Sequence, residues 1–493
     1  MASLADLETI VDTAGVAATV ELLLPSGGRP RQLSVRTLLI GMLATQADGR
    51  PAHLTRVHDA LVELGGTDQR RLGIVMDWRS GPHTLTYRQV ERTFGLVVDA
   101  LADTEPDGSP TDAFARFVDD VMEASIPERY KQATSALAID WTDHETWALA
   151  PHSDQTGADP EATWGHRASH AIGTSDELFF GYYPQAATMV PEENGPPVPE
   201  LARRLLVTSC HLDPPRAFVG VLERLHQAGV ALGDILADSG YAHRAASAWA
   251  LPLRRLGARL IQDHHPHDRG PQGTHAGAIC ANGNLFCPAT PPALLQIGPL
   301  ARGASAGDTA THDTAMDELA HYKLGRISSD DADGYHRVGC PAAAGKLRCP
   351  LRTASMTLGH QLPEVLSPPQ HPPPCCVQQT LTVPPSVNAK TAQKHDYPGP
   401  AWRRSYGRRT GAERTFSTIK DPACTDTTRG WCRLMGLTAI TLFLTCAMVV
   451  RNQRIVDAFE TRVADDARRA ANGQPPKTRR RRRRTLVDLI DTA

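Results

Sequence analysis

Apolar positions along the first hundred residues recur at helical spacing. Val35, Leu38, Leu39, Met42 and Leu43 follow Ser34, whose hydroxyl suits a helix N-cap. Leu54, Val57, Leu61 and Leu64 repeat the pattern up to Gly65-Gly66. A third helix is predicted from Thr86, with Gln89 completing a capping box and Val90, Phe94, Val97, Val98 and Leu101 on one face. Basic residues Arg31, Arg36, Arg56, Arg88 and Arg92 fall on the polar sides. Two readings fit this region equally: a DNA-reading head of helix-turn-helix type, or a helical dimerisation or packing domain.

From residue 135 the period changes. Ala136 to Ile139 is a short apolar run ending in Asp140, and Ile235 to Ala237 is another ending in Asp238. Between them, residues 177–190 read as a long strand or hairpin and 205–208 as a strand, followed by a helix opening at Pro214-Pro215. Residues 259–261 add a further strand. This order predicts an α/β fold with a mixed sheet flanked by helices. Dense Pro, Gly and Cys over 270–400 predict an insertion outside that sheet. Helix is expected again from about Tyr406 to Arg462, broken near Pro422, with Leu434–Val450 read as a buried core helix in preference to a membrane span.

The expected units are therefore a helical N-terminal domain (1–130), a first core segment (131–269), an insertion (270–400), C-terminal core helices (401–462) and a basic tail (463–493). Six consecutive arginines, 479–484, stand in that tail. A formal net charge of -2 conceals a segregation: residues 401–493 hold 20 Lys and Arg against 9 Asp and Glu, whereas 1–400 hold 32 against 45. Such asymmetry points to a polyanionic partner for the basic part and to bound cations for the acidic part. Met1 to Val20 lacks a basic stretch followed by an apolar one, so a cytoplasmic location is expected.

Ten cysteines in such a chain suit thiols or metal ligands better than a disulfide framework. Cys280, Cys287, Cys340 and Cys349 form a candidate structural zinc set, although their gaps exceed the usual spacing and buried reduced thiols are the alternative. The run Asp263-His264-His265-Pro266-His267-Asp268 reads as a solvated loop near the rim of a site.

Carboxylates at strand ends, faced by a third on a helix, can hold two Mg²⁺ or Mn²⁺ ions for phosphodiester chemistry. Tyr406, Arg409, Glu413 and Lys420 fall within an arc of roughly 60° on a continuous helix. By pattern alone, a solvated face with an Arg-to-Glu pair is the simpler reading.

The string Tyr406-x2-Arg409-x3-Glu413-x6-Lys420 resembles the Y-R-E-K signature of the DDE transposases of bacterial insertion sequences. Ile139-Asp140-Trp141 and Leu236-Ala237-Asp238-Ser239-Gly240-Tyr241 resemble the segments around that family's first two acidic residues. The resemblance spans roughly residues 135–460. It implies an RNase H-like core, with Asp140, Asp238 and Glu413 as catalytic residues and ligands of two Mg²⁺ or Mn²⁺ ions, and with Tyr406, Arg409 and Lys420 as DNA contacts. It further implies a homodimer on double-stranded DNA, acting on terminal inverted repeats and target DNA at the bacterial nucleoid. A metal-dependent nuclease on the same fold and a non-catalytic DNA-binding relic are the competing expectations. Three carboxylates gathered without cations should raise one another's pKa.

Overall fold

The computed structural model describes residues 3–25, 27, 31–78, 81–102, 111–151, 157–167, 177–301 and 303–477, with the side chains of 76–78 and 81–83 excepted. The arginine tract 479–484 lies outside the described residues.

A seven-stranded mixed sheet forms the centre. Its five principal strands are β1 (Leu137–Trp141), β2 (Glu177–Met189), β3 (Ala202–Ser209), β4 (Asp234–Ala237) and β5 (Arg259–Gln262). They lie in the order β3-β2-β1-β4-β5, with β1–β2 and β2–β3 antiparallel and β1–β4 and β4–β5 parallel. Two short strands, His144–Glu145 and Thr163–Arg167, also pair with β2. The 177–190 segment is thus one long strand, not a hairpin, because β1 and β3 flank the same stretch of it.

Both faces of the sheet are covered, so β1 and β4 carry uninterrupted apolar runs, Leu137–Ile139 and Ile235–Ala237. Alternation assigns Leu137 and Ile139 of β1 to the face packed by α2 (Pro214–Gln227), whose Phe218, Val221, Leu222 and Leu225 are buried there. Pro214 and Pro215 open that helix, where a missing N–H costs nothing. Ala136 and Ala138 point to the other face, beneath Tyr397, Trp402 and Ala412.

Three helices carry the C-terminal part of the core: α3 (Pro400–Tyr406), α4 (Thr410–Lys420) and α5 (Leu437–Ala471). A 3-10 turn at Gly407–Arg409 joins α3 to α4. Gly411 lets α4 approach β2 closely, since a Cβ there would stand 2.7 Å from Val190 Cγ1. A hydroxyl pair, Thr188 and Thr415 at 2.9 Å, ties the same helix and strand.

By length and composition α5 could cross a membrane, yet its apolar stretch is buried inside the protein. It continues nine residues beyond the expected end at 462, because Arg468 and Arg469 suit its last turn. Asn452 of α5 receives the Ala202 amide and donates to the Ala202 carbonyl and to Ser125 Oγ, at 2.8 to 2.9 Å. Helix, strand and N-terminal region are thereby locked together.

The N-terminal helices pack onto this same face. Ser34 caps the helix Val35–Ala47 through the Thr37 amide, and Thr86 with Gln89 caps Tyr87–Leu101. Eleven of the thirteen residues in Val35–Ala47 are buried. One apolar core runs from Leu7 through these helices to Tyr182, Leu205 and Val207 of the sheet and to Leu437–Val450. The boundary expected at 130 therefore does not separate two cores. Arg31 pairs with Glu21, Arg36 with Asp12 and Glu8, and Arg56 with Asp59, whereas Arg88 and Arg92 are exposed.

Residues 270–400 build two three-stranded antiparallel sheets of their own, Pro271–Phe286 and Gly325–Val383, around the helix Ala306–Tyr322. The returning chain lies along the outer edge of β5, where the Lys394 amide donates to the Leu260 carbonyl at 3.0 Å and Gln393 accepts from the Gln262 amide. An otherwise open strand edge is thereby covered.

Candidate active site

The alternation that sends Ala138, Leu236 and Ile261 to the α4 face continues two residues on, to Asp140, Asp238 and Asp263. Three adjacent parallel strands thus end in a carboxylate on one face. The rim beyond the carboxyl ends of parallel strands is where α/β sheets hold ligands.

Asp140 is 16% exposed and accepts from the Trp141 amide at 3.0 Å. Asp238 caps the short helical turn Ser239–Ala242, accepting from the Gly240 and Tyr241 amides at 2.9 and 3.3 Å. Gly240 is required for packing, because a Cβ there would come within 2.3 Å of the Trp141 ring. Behind the pair, the Trp141, Tyr241 and Trp249 rings pack in series, tilted by 54° and 45°, and the Tyr241 hydroxyl donates to Gln185. This aromatic wall dries one side of the rim.

Arg409, at the end of the 3-10 turn, reaches both Asp140, at 3.3 Å, and Glu413. Glu413 itself stands half exposed on the first turn of α4. Tyr406 stacks on Trp402 with ring centroids 4.7 Å apart, and the Arg409 guanidinium lies 5.6 Å from its ring. Lys420, at the far end of α4, donates to Thr142 Oγ1 at 2.7 Å and pairs with Asp143 at 3.2 Å. Asp140, Arg409, Glu413 and Tyr406 therefore form one connected group around the rim, while Lys420 reaches the loop that follows β1. The face expected of one continuous helix is divided between two helices and a turn.

Burial, then the negative charge of Asp238, pushes the Asp140 carboxyl up to about 7, although Arg409 and the Trp141 amide oppose the shift. Asp238 is also raised, chiefly by burial, with Asp263 contributing. One guanidinium thus leaves the two strand-end carboxylates under-compensated, and that residual negative potential favours additional cations.

Asp263 is the residue that sequence reasoning left in a solvated loop. It accepts from the Tyr397 hydroxyl at 2.7 Å and from Arg269 at 3.4 Å, directly beyond β5. The available signal was the spacing Ile261-x-Asp263, the same alternation that delivers Asp140 and Asp238.

Nearby, ligand atoms of His243, His265 and Asp268 lie within 4.8 Å of one another. Lys390 Nζ already contacts Asp268 at 2.7 Å and His243 at 3.4 Å. Its ammonium supplies positive charge there, as Arg409 does for Asp140 and Glu413; among the described residues the oxygens of Asp140, Asp238 and Glu413 are not gathered within the same 4.8 Å.

No family model, curated protein or solved structure gives a significant match to this chain.

Proposed function

We propose that the protein is a DDE transposase, cutting DNA at the ends of a mobile element and joining the freed 3′-hydroxyl to target DNA. The observation that carries this reading is the carboxylate pair Asp140 and Asp238 at the ends of two adjacent parallel strands, with Glu413 linked to Asp140 through Arg409. The strand order β3-β2-β1-β4-β5, antiparallel across the first three strands and parallel across the last, supports an RNase H-like core.

The donor set fits Mg²⁺ or Mn²⁺: all the donors are hard carboxylate oxygens, two carboxyls are raised chiefly by burial, with Asp238 acting on Asp140 and Asp263 on Asp238, and a cationic side chain bridges Asp140 and Glu413. Asp140, Asp238 and Glu413 would hold two such ions, which supply activation of the attacking hydroxyl and stabilisation of the leaving oxygen.

The chain's own groups do the rest. Arg409, whose fork contacts Asp140 and Glu413, stands where it would also hold a DNA phosphate beside the cut. Lys420 holds a second phosphate, and Tyr406, fixed by Trp402, meets the backbone or a terminal base. The Trp141–Tyr241–Trp249 wall limits water on the side away from DNA. A homodimer on double-stranded DNA in the bacterial cytoplasm completes the reading.

The test is incubation of the full chain with Mn²⁺ and labelled DNA carrying the ends of its own element, alongside Asp238→Ala. Joined products that disappear in the variant are expected. Cleavage without joining would replace the reading with a nuclease, and binding without either reaction with a non-catalytic relic.

A further inference from the structure

We infer that His243, His265 and Asp268 bind a transition-metal ion, Zn²⁺ by their donor chemistry, that clamps together the loops following β4 and β5. Among the described residues no other set of His, Cys, Asp and Glu side chains brings three ligand atoms within 4.8 Å of one another. The cysteines expected to hold zinc do not meet that condition, and Cys280 is buried in a different cluster from Cys287, Cys340 and Cys349.

The local chain builds the group from both sides. His243 closes the turn that Asp238 opens, its amide donating to the Ser239 carbonyl at 2.9 Å. Asp268 ends the 3-10 turn Pro266–Asp268 beyond β5, and its amide returns to the His265 carbonyl at 2.8 Å. Because β4 and β5 are adjacent and parallel, both loops leave the sheet at the same rim. The His243 and His265 rings stack there with centroids 3.9 Å apart, whereas His267 is 6.4 Å from His243 and stands outside the set.

The contacts of Lys390 add a second observation. Its ammonium lies 2.7 Å from Asp268 Oδ1 and 3.4 Å from His243 Nδ1, and the same Nδ1 stands 3.2 Å from Asp268 Oδ2. A protonated Nδ1 donates to the carboxylate but turns its N–H toward an ammonium; an unprotonated one accepts from Lys390 but sets its lone pair against the carboxylate oxygen. Neither state satisfies both contacts. A metal ion in place of the ammonium does, because imidazole and carboxylate lone pairs then converge on one cation. Lys390 is partly exposed, and its flexible stem lets the strongly hydrated ammonium leave for water. His265 gives up at most the His267 amide, which donates to its Nδ1 at 3.3 Å.

Two imidazoles and a carboxylate suit Zn²⁺ or Co²⁺ and leave a fourth tetrahedral position for water, whereas Mg²⁺ favours an all-oxygen site. Bound there, the ion fixes the turn that presents Asp238 against the loop that follows Asp263. The inference uses neither DNA nor Asp140 and stands apart from the reaction proposed above.

The experiment is titration of Co²⁺ into the metal-stripped full chain with excess Mg²⁺ present, read by visible absorption and by diethyl pyrocarbonate labelling of histidines mapped by mass spectrometry. The expected result is the d–d bands of a nitrogen–oxygen site, displaced by Zn²⁺, with His243 and His265 protected from labelling and the exposed His360 unprotected. His243→Ala should lose the bands. Lys390→Met should bind cobalt several-fold more tightly, the scale of a partly exposed ion pair that no longer competes. Absence of the bands in the wild type, a thiolate charge-transfer band in their place, or labelling of His243 and His265 unchanged by cobalt would each overturn the inference. Unaltered binding in His243→Ala or weaker binding in Lys390→Met would do the same. The unmodified chain decides the first three outcomes even if a variant fails to fold.

Discussion

The strand β4 carries an aspartate at each end, and the two ends behave in opposite ways. Asp234, at its start, is fully buried and faces three cations: Lys394 at 2.8 Å, Arg408 at 2.8 Å and Arg259 at 2.9 Å. Burial alone would raise its carboxyl, yet the hydrogen bonds and charges of those cations hold it below the usual range. Asp238, just past the other end, has no ion pair of its own among the described residues, feels only the charge of the Arg409 that contacts Asp140 and Glu413, and titrates above the usual range, chiefly through burial. Four residues apart, one carboxylate is electrostatically complete and the other is not. A complete site holds the fold together; an incomplete one can accept cations from solution.

The largest expected effect tests that incompleteness. Asp140→Asn or Asp238→Asn should reduce DNA cleavage and joining on the order of a thousandfold, equivalent to the several kcal/mol of transition-state stabilisation that metal ions supply. Metal-free Asp140→Asn should also melt above wild type at pH 8, where the native carboxylate is charged and crowded. Gel assays and calorimetric melting read the two results. A variant that is equally active, or less stable, would place Asp140 with the structural carboxylates.

At the other end of the strand, Asp234→Asn should leave three cations around a neutral amide and destabilise the fold by about 3–5 kcal/mol. Urea unfolding measures this. A loss below about 1 kcal/mol would remove the contrast between the two ends.

Smaller, and directed at the helix that presents Glu413, Gly411→Ala drives a methyl against Val190 and should cost about 1–3 kcal/mol. It should lower activity as well, since displacing α4 moves both Glu413 and Lys420. Equal stability would show that β2 yields at that point.

The pH dependences should have opposite signs. Asp140 titrates at 3.8 when unfolded and at about 7 in the metal-free fold, so the folded state binds more protons in between. Its contribution is fully present below pH 3.8 and is lost as pH rises through about 7. Asp234 is depressed, so its contribution is present above its unfolded value and is lost as pH falls through the lower native one. Urea titrations of wild type and Asp140→Asn across pH 4 to 8 check this: the variant should lack the decline toward pH 7. The smallest effect is expected at Lys420, where alanine should reduce the salt slope of DNA binding by about 1.

Much of the fold was legible because its signals are local. Ser34 and the Thr86–Gln89 box marked helix starts, and the Ala136–Ile139 and Ile235–Ala237 runs marked strands that deliver Asp140 and Asp238 to one rim. What escaped depends on contacts distant in sequence. Asp234 reads as an ordinary polar strand start until Lys394 arrives from the end of the insertion and Arg408 from beyond it. Asp263 shares the alternation of the other two aspartates, but the histidines after it obscure the strand end. The continuous face expected of Tyr406 to Lys420 is interrupted by the turn at Gly407–Arg409, which brings Arg409 onto Asp140.

The most direct measurement is calorimetric titration of Mn²⁺ into the full chain bound to DNA, compared with Asp140→Asn and Asp238→Asn. The account predicts binding in the wild type that both substitutions abolish, with the Asp234 end of the strand unaffected. Equal Mn²⁺ binding by all three proteins would contradict the assignment of the strand-end carboxylates as the metal site.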